Sequence, residues 1–406
     1  MEPDKSIVDN KTFCILPWIH AYVEPSGNVL PCCTTDGKLP FGSVKNSTLK
    51  DVIKNAEGYK QIRLNMINGV NSPSCKFCYK TEKTQNWSFR TYANEKFIHH
   101  LDEVLENTNE DGSLKDFKMY YYDIRFSNIC NFKCRTCGSA FSSSWGAENR
   151  IYNKDFPIII HADDNKGALL QEVLDEHIDN IEIAYFAGGE PLITEEHYTI
   201  LEELIKRNKT NIILRYNSNL SNFKFKNNDL ISLWKQFKKI ELSASIDHFG
   251  ERAEYIRHGT DWGVIETNLK QITQYDFIDY QFNTVMSVFN FLTLSEFYSY
   301  MKVKGFYRPK DNISLFPCMD PAYFSSQLMP EELKKLGSVK LQHLIYKLKL
   351  EYYYSTQSLQ NAISFANAEN TWDQYKLEFQ SQIKRVDEIR GEDFTKTFPE
   401  LKSMMS

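Results

Sequence analysis

Between residues 119 and 348 the hydrophobic pattern alternates between strand-like and helix-like stretches. Short apolar runs with strand character occupy residues 119–126, 180–186, 211–216, 239–246, 280–288 and 313–316. Amphipathic helical patterns follow at residues 195–207, 230–237, 264–272, 294–303 and 331–348. Regular alternation of this kind predicts an α/β fold with a parallel sheet, curled or open, and helices outside. Active sites of such folds lie at the carboxyl ends of the strands.

The chain before residue 119 has a different pattern. Two apolar segments, residues 13–23 and 29–33, flank turn residues at 24–28, which predicts a β-hairpin. A helical stretch follows at about 49–66. At the other end of the chain, residues 371–385 are polar and helical and carry no chemical motif, so we expect a packing or capping helix there.

Composition narrows the function classes. The 406 residues exceed the usual single-domain range, and 42% hydrophobic with 25% charged residues is typical of a globular protein. A net charge of -5 gives no reason to expect a nucleic acid or membrane partner. The polar N-terminus shows no signal peptide, and no apolar run is long enough to span a bilayer. Nine cysteines in a leaderless chain favour a reducing compartment, so we expect a cytoplasmic protein with metal-binding cysteines.

Three cysteines follow the strand-like run at 119–126 directly. Cys130, Cys134 and Cys137 have the spacing C-x3-C-x2-C, which lets one loop fold three thiolates around one metal centre. Three thiolates on a four-iron cube would leave one iron open to a ligand that is not protein, which is a catalytic arrangement. A zinc site completed by a distant histidine, or simply buried thiols, are the alternatives.

Four more cysteines frame the predicted hairpin and the helix that follows it. Cys14 and Cys32 lie near the open ends of the hairpin, and Cys75 and Cys78 form a C-x2-C pair. Together they can converge as a four-thiolate cage, which is a closed site. On chemistry alone, zinc and an additional iron–sulfur cluster suit such a cage about equally.

The second strand of the alternating region runs into Gly188, Gly189, Glu190 and Pro191. Two glycines let the backbone pass close to a ligand and expose its amides and carbonyls. Glu190 adds an anionic acceptor that suits an ammonium group. This bend comes one β/α unit after the cysteine loop, so we expect the two features at the same end of the sheet.

The two motifs together resemble the radical S-adenosylmethionine (SAM) enzymes. The resemblance implies a partial (β/α)6 TIM-like barrel and a [4Fe–4S] cluster on Cys130, Cys134 and Cys137, with SAM bound at the open iron. It implies that the bend at 188–191 receives the SAM amino group. Later strand ends match family motifs, which adds the implied SAM contacts Asn219, Ser245, Arg257, Val285 and Met286. Two positions depart from the pattern: Thr136 replaces a common aromatic residue, and His248 replaces the glycine after Ser-Ile-Asp.

The N-terminal cysteines are similar to the twitch module of SPASM/twitch radical SAM enzymes. That module implies an auxiliary [4Fe–4S] cluster on Cys14, Cys32, Cys75 and Cys78, with Cys33 as a bystander. In most relatives the module follows the barrel, whereas here it precedes it. The expected organisation is a small α+β iron–sulfur domain at 1–95, a linker at 96–118, the barrel at 119–350 and a helical extension at 351–406.

The chemistry implied by the resemblance is reductive cleavage of SAM to a 5′-deoxyadenosyl radical, which abstracts hydrogen from a substrate while the auxiliary cluster assists oxidation. We expect a peptide or protein side chain as substrate and a flavodoxin- or ferredoxin-type reductant. Oxidation of a small alcohol or sugar is one alternative, and a non-catalytic iron–sulfur or zinc protein for electron transfer or scaffolding is another. Candidate substrate-side groups are His20, Asp247 and His248.

Overall fold

A computed structural model describes residues 7, 10–35, 40–83, 87–165, 167–307, 314–350 and 356–406. In chain order the strands are β1 His20–Val23, β2 Asn28–Leu30, β3 Gly42–Ser43, β4 Tyr121–Ile124, β5 Lys133–Cys134, β6 Ile183–Phe186, β7 Ile213–Ser218, β8 Lys224–Phe225, β9 Asn228–Asp229, β10 Lys239–Ser245, β11 Arg257–His258, β12 Ile278–Met286 and β13 Ser314–Pro317.

The α-helices of the described residues are α1 Leu16–Ile19, α2 Leu49–Asn55, α3 Glu57–Ile67, α4 Lys76–Thr81, α5 Phe89–Phe97, α6 Leu101–Glu106, α7 Ser143–Asn149, α8 Ala168–Glu172, α9 Glu195–Lys206, α10 Leu230–Trp234, α11 Gly250–Ile256, α12 Trp262–Ile272, α13 Leu294–Val303, α14 Glu331–Leu350, α15 Gln357–Ala368, α16 Trp372–Arg390 and α17 Phe394–Thr397. Short 3-10 turns include Pro73–Cys75, Ile98–His100, Pro191–Ile193 and Pro399–Met405, and a π-turn spans Val173–His177.

The first of two compact units comprises residues 1–129, 157–216 and 230–239. Its strands are ordered β3-β2-β1-β4-β6-β7. The N-terminal hairpin, β1 with β2, is antiparallel, and β1 also pairs in parallel with β4, which places His20 opposite Tyr121. The β4–β6 and β6–β7 pairs are parallel. The predicted hairpin is therefore confirmed, and it extends the parallel strands of this unit.

The second unit comprises residues 130–156, 217–229 and 240–406. Its strands β10, β12 and β13 are parallel neighbours. The short strand β5 pairs antiparallel with β11, and β8 pairs with β9. This unit also contains the C-terminal helices α14 to α17.

Burial follows the hydrophobic pattern closely. All four residues of β4 are buried, as expected for a strand covered on both faces, whereas β7 and β12 alternate between buried and more exposed positions. Helix α12 begins where the Asp261 side chain accepts the Val264 N–H at 3.1 Å, which satisfies one of the free amides of the first turn. Helix α9 has one buried apolar face, which includes Ile200, Leu201 and Leu204.

The prediction of a mixed α/β fold with parallel strands is confirmed. A strand lies at each of the six predicted positions, and the helices predicted at 195–207, 230–237, 264–272, 294–303 and 331–348 are present. Residue 313, the predicted start of the sixth strand, and residues 351–355, the predicted start of the C-terminal extension, lie outside the described residues. The division into domains stays a prediction, since the two compact units cut the chain at other positions.

Candidate metal centres

The loop with three cysteines is anchored by the pairing of β5 with β11. In this pairing Cys134 lies opposite Arg257. The Arg135 N–H donates to the Ile256 carbonyl at 2.8 Å, and the Cys137 N–H donates to the Cys134 carbonyl at 3.1 Å. Cys137 is exposed, whereas Cys134 is partly buried. The second and third cysteines therefore lie on one tight turn that is held at a sheet edge.

A run of serines after the loop holds the segment that contains the first cysteine. The Ser144 hydroxyl donates to the Cys130 carbonyl at 2.7 Å, and the Cys130 N–H donates to the Ser143 hydroxyl at 3.2 Å. The Ser142 hydroxyl donates to the Phe132 carbonyl at 2.6 Å. Sequence reasoning missed these residues. The signal was available, because hydroxyl side chains beside a bent loop commonly bond to its backbone.

Arg257 forms a buried pair with Asp247 beside the second cysteine. Its Nε and Nη2 donate to the two carboxylate oxygens at 2.8 and 3.1 Å, and its Nη1 approaches the Cys134 sulfur at 3.8 Å. Asp247 also accepts the Val285 N–H at 2.7 Å, and its side chain is fully buried. Burial alone would lower the pKa of Arg257, but Asp247 and Cys134 raise it above its usual value. Both carboxylate oxygens are thus used to orient one guanidinium.

The glycine bend contacts the residue that directly precedes the first cysteine. A Cβ on Gly189 would lie 2.1 Å from the Ile129 carbonyl oxygen, and the Glu190 N–H donates to that oxygen at 2.8 Å. Gly188 has φ +123°, and a Cβ there would meet the Arg125 side chain at 3.2 Å. Only glycine tolerates the positive φ of residue 188, and only glycine leaves room for the Ile129 carbonyl at residue 189. Glu190 is buried, and its carboxylate accepts the Leu192 N–H at 3.2 Å.

The other implied SAM contacts lie at strand ends of the second unit. Asn219, which follows β7, donates to Asn131 of the cysteine loop at 3.0 Å and accepts the Ser221 N–H at 2.9 Å. Asn131 in turn donates to the Ser221 hydroxyl at 2.9 Å. Ser245 ends β10, and Val285 with Met286 ends β12, where they pair with Phe316 and Pro317 of β13. The structure therefore joins Asn219 to the loop and places the remaining three at adjacent strand ends.

The two histidine candidates are buried. In His248, Nε2 lies 3.0 Å from the Thr293 hydroxyl and Nδ1 accepts the Phe249 N–H at 2.9 Å, so both ring nitrogens have partners. In His20, Nδ1 donates to the Tyr121 carbonyl at 2.9 Å, and Nε2 has no hydrogen-bond partner in the described structure. Burial lowers the pKa of each imidazole to about 4, so both are neutral near pH 7.

The N-terminal unit brings four cysteines close to one another. Cys14 precedes α1, Cys32 follows β2, Cys75 ends a 3-10 turn and Cys78 lies in α4. Burial raises the pKa of the Cys14 thiol, and its three partners Cys75, Cys32 and Cys78 raise it further. Burial likewise raises the pKa of Cys75 to about 12. Such mutual repulsion between thiolates is relieved when the group binds a cation, and an all-thiol donor set suits iron–sulfur or zinc.

Hydroxyl and cationic side chains complete the surroundings of these thiols. The Thr34 hydroxyl lies 3.3 Å from the Cys32 sulfur and 3.9 Å from the Cys78 sulfur. Arg90, which is paired with Glu82, holds the segment before Cys14 by donating to the Phe13 carbonyl at 2.8 Å. The neighbouring Cys33 is exposed.

Comparison with known families identifies this region. Residues 14–79 match the SPASM family model, which describes an iron–sulfur cluster-binding domain, and the match spans all four cysteines. Residues 14–79 are similar to SPASM domains, and we refer to them as the SPASM-type domain. The predicted resemblance to SPASM/twitch-type proteins and the prediction of an iron–sulfur cofactor are thereby confirmed.

The solved structures that match cover about half of this chain. A structure of anSMEcpe with bound AdoMet and a Cp18Cys peptide is 19% identical, with a TM-score of 0.36 over 53% of this chain and 56% of that one. A structure of anSMEcpe with bound AdoMet is 17% identical, with a TM-score of 0.39 over 56% and 60%. A structure of TYW1 with a lysine-pyruvate adduct is 14% identical, with a TM-score of 0.24 over 42% and 57%.

The chain thus spans less than two thirds of the length of these proteins, and TM-scores this low carry no inference about fold or function. No curated protein matches the sequence. Among the described residues, no helix is both long and apolar enough to cross a membrane.

Proposed function

We propose that this chain is a radical SAM enzyme. The loop of Cys130, Cys134 and Cys137 holds the SAM-cleaving [4Fe–4S] cluster, and the SPASM-type domain holds an auxiliary [4Fe–4S] cluster on Cys14, Cys32, Cys75 and Cys78. For residues 119–350 we propose the partial (β/α)6 TIM-like barrel of this superfamily.

The observation that carries the proposal is the contact between the glycine bend and Ile129. The Glu190 N–H donates to the Ile129 carbonyl at 2.8 Å, a Cβ on Gly189 would lie 2.1 Å from the same oxygen, and Cys130 is the next residue of the chain. An amino-acid ligand that spans an open iron and an ammonium-binding bend needs these two features to be neighbours. A metal site with a purely structural role has no need of the bend.

The donor sets fit the two groups. Three thiols on one turn leave one iron of a cube without a protein sulfur, whereas four thiols close the other site. When bound, the loop cluster would supply the electron that cleaves SAM to a 5′-deoxyadenosyl radical, which abstracts hydrogen from the substrate. The protein's own contribution is to bind and orient SAM and the substrate and to exclude water from them.

Individual residues have distinct proposed roles at this site. The bend at 188–191 binds the SAM amino group, with Glu190 as the anionic partner. Asp247 holds the planar guanidinium of Arg257 beside Cys134, where it can meet the SAM carboxylate. Asn219 fixes Asn131 and so the start of the loop. Ser245, Val285 and Met286 line the strand ends on the nucleoside side.

The proposed substrate is a peptide or protein side chain, and a cluster held by Cys14, Cys32, Cys75 and Cys78 would supply an electron acceptor for its oxidation. Four protein thiols leave that cluster no open position for a substrate atom, which favours electron transfer over substrate binding. A flavodoxin or ferredoxin is the proposed reductant. His20 stays a candidate substrate-side residue because its Nε2 has no hydrogen-bond partner in the described structure.

The experiment that tests the proposal is anaerobic reconstitution of the full chain with iron and sulfide. We expect about eight irons, two cubes, per chain. Reduction in the presence of SAM should release methionine and 5′-deoxyadenosine. Zinc in place of iron, or reducible clusters without SAM cleavage, would overturn the enzyme assignment in favour of a non-catalytic electron carrier or scaffold.

A further inference from the structure

The cysteine loop carries two cations, and both carboxylates that pair with one of them come from the C-terminal segment. Arg135 lies between Cys134 and Cys137, and its side chain is only 1% exposed. Its Nη2 donates to the carboxylates of Asp387, in α16, and Glu392, just after that helix. A guanidinium buried to this degree needs such anionic partners, because an unpaired buried charge is strongly unfavourable.

The second cation, Lys133, is connected to the same segment through the carboxylate of Glu148. The Lys133 ammonium lies 3.0 Å from Glu148, and the Arg390 Nε lies 3.1 Å from the same carboxylate. The Arg390 guanidinium also stacks over the Trp145 ring at 4.7 Å. Trp145 donates through its indole N–H to the Cys134 carbonyl at 2.9 Å. The end of α16 is therefore connected to the loop in two ways, through Arg135 and through Glu148 with Trp145.

Glu392 and Asp387 also bind His258, which follows Arg257, and Tyr255, two residues before it. Glu392 lies 2.7 Å from the His258 Nδ1, and the Tyr255 hydroxyl donates to Asp387 at 2.7 Å. Burial raises the pKa of Glu392, but His258 and Arg135 lower it more, so its pKa ends below the ordinary value and the carboxylate is charged near pH 7.

We propose that the segment from α16 to Glu392 is a working part of the cysteine-loop site rather than a passive cap. Asp387 and Glu392 are positioning residues: they hold Arg135, and with it the turn that carries the second and third cysteines. Their negative charges also balance the cations beside the cluster. This inference rests on the proposed function only in assigning a cluster to that loop.

The test compares charge-removing variants of the full chain with a matched control. Glu392→Gln and Asp387→Asn keep the side-chain shape but remove one negative charge each. Glu388→Gln removes the same charge from the same helix at an exposed position. All three are made in a Cys75→Ala background, so that the signal of the loop cluster is recorded alone.

We expect the reduction potential of the loop cluster to rise in Glu392→Gln and Asp387→Asn, because the addition of an electron becomes easier once a nearby anion is removed. Glu388→Gln should leave it unchanged. In the metal-free protein, alkylation of Cys134 should become several-fold faster in the first two variants and not in the control. Arg135→Lys, which keeps the charge but loses the fork of donors, should show the faster alkylation with a smaller shift in potential.

Two results are distinguishable. If the background protein itself holds no iron at the loop, the proposed function fails, and this inference with it. If the loop cluster forms normally and the potentials and alkylation rates of Glu392→Gln and Asp387→Asn match those of Glu388→Gln, only the positioning role is wrong. Asp387 also accepts the Phe394 N–H at 2.7 Å, so Asp387→Asn could fail to fold. In that case the result for Glu392→Gln alone tests the positioning role.

Discussion

The two cysteine sites of this chain are built in opposite ways. In the SPASM-type domain, four thiols from three separate segments of the chain converge, and their immediate surroundings are hydroxyl groups and one paired arginine. In the second unit, three cysteines come from one loop, and the support comes from outside it. Serines, an Arg257–Asp247 pair and carboxylates of the C-terminal segment all bond to that loop.

Under the proposed function, the difference between the two sites matches what each of them must do. A site with four protein ligands is organised by its own metal centre once this is bound, so little further support is needed. A loop with three ligands and an open position must keep its shape while a cofactor arrives and leaves. External hydrogen bonds and ion pairs supply that rigidity.

The largest expected effect is loss of one of the three loop thiols. Cys134→Ala removes a ligand that the SPASM-type domain cannot replace, so SAM cleavage should fall to background and iron should drop to about four per chain. Measurement of 5′-deoxyadenosine together with iron content checks this. Retained cleavage in the variant would show that the loop is not the SAM-cleaving site.

Loss of one of the four other thiols should separate the two roles. Cys75→Ala should spare SAM cleavage while product formation is lost, because only the auxiliary cluster is removed. Iron should again be about four per chain. Abolished cleavage in a folded Cys75→Ala protein would contradict the division of labour between the two regions.

A steric change at the bend tests the link to the loop. In Gly189→Ala the new Cβ would lie 2.1 Å from the Ile129 carbonyl oxygen, so the bend must shift and the Glu190 hydrogen bond must weaken. We expect SAM binding or cleavage to fall by roughly 10²-fold, as for other displacements of about 1 Å at reactive sites. Gly263→Ala, at an exposed position in the first turn of α12 with 3.3 Å to the nearest atom, is the control. Equal behaviour of the two variants would argue against the proposed SAM site.

The smallest expected effect concerns the hydroxyl groups around the closed site. Thr34→Val removes the contact with the Cys32 and Cys78 sulfurs without changing the side-chain shape. Fewer hydrogen bonds to sulfur should lower the reduction potential of the auxiliary cluster and leave SAM cleavage unchanged. Thr199→Val in α9, where the hydroxyl donates to the Glu195 carbonyl within the helix, is the matched control. An unchanged potential in Thr34→Val would mean that the hydroxyl does not tune this site.

The sequence by itself predicted the elements and the candidate donor sets. Periodicity placed six strands and the helices between them, because strand and helix periods leave distinct hydrophobic patterns. Cysteine spacing and the resemblance to known families indicated the three cysteines of the loop and the four of the SPASM-type domain as candidate ligands. The glycine pair at 188–189 was also visible, because only glycine allows that conformation and close approach.

The tertiary structure alone decided which distant side chains support the loop. Arg135 meets Asp387 and Glu392 across more than 250 positions of the chain, and no periodicity or motif records such a pairing. It also decided that Asp247 orients Arg257 and that β1 pairs with β4. Long-range ion pairs and strand neighbours depend on how elements are placed in space, which a one-dimensional pattern does not specify.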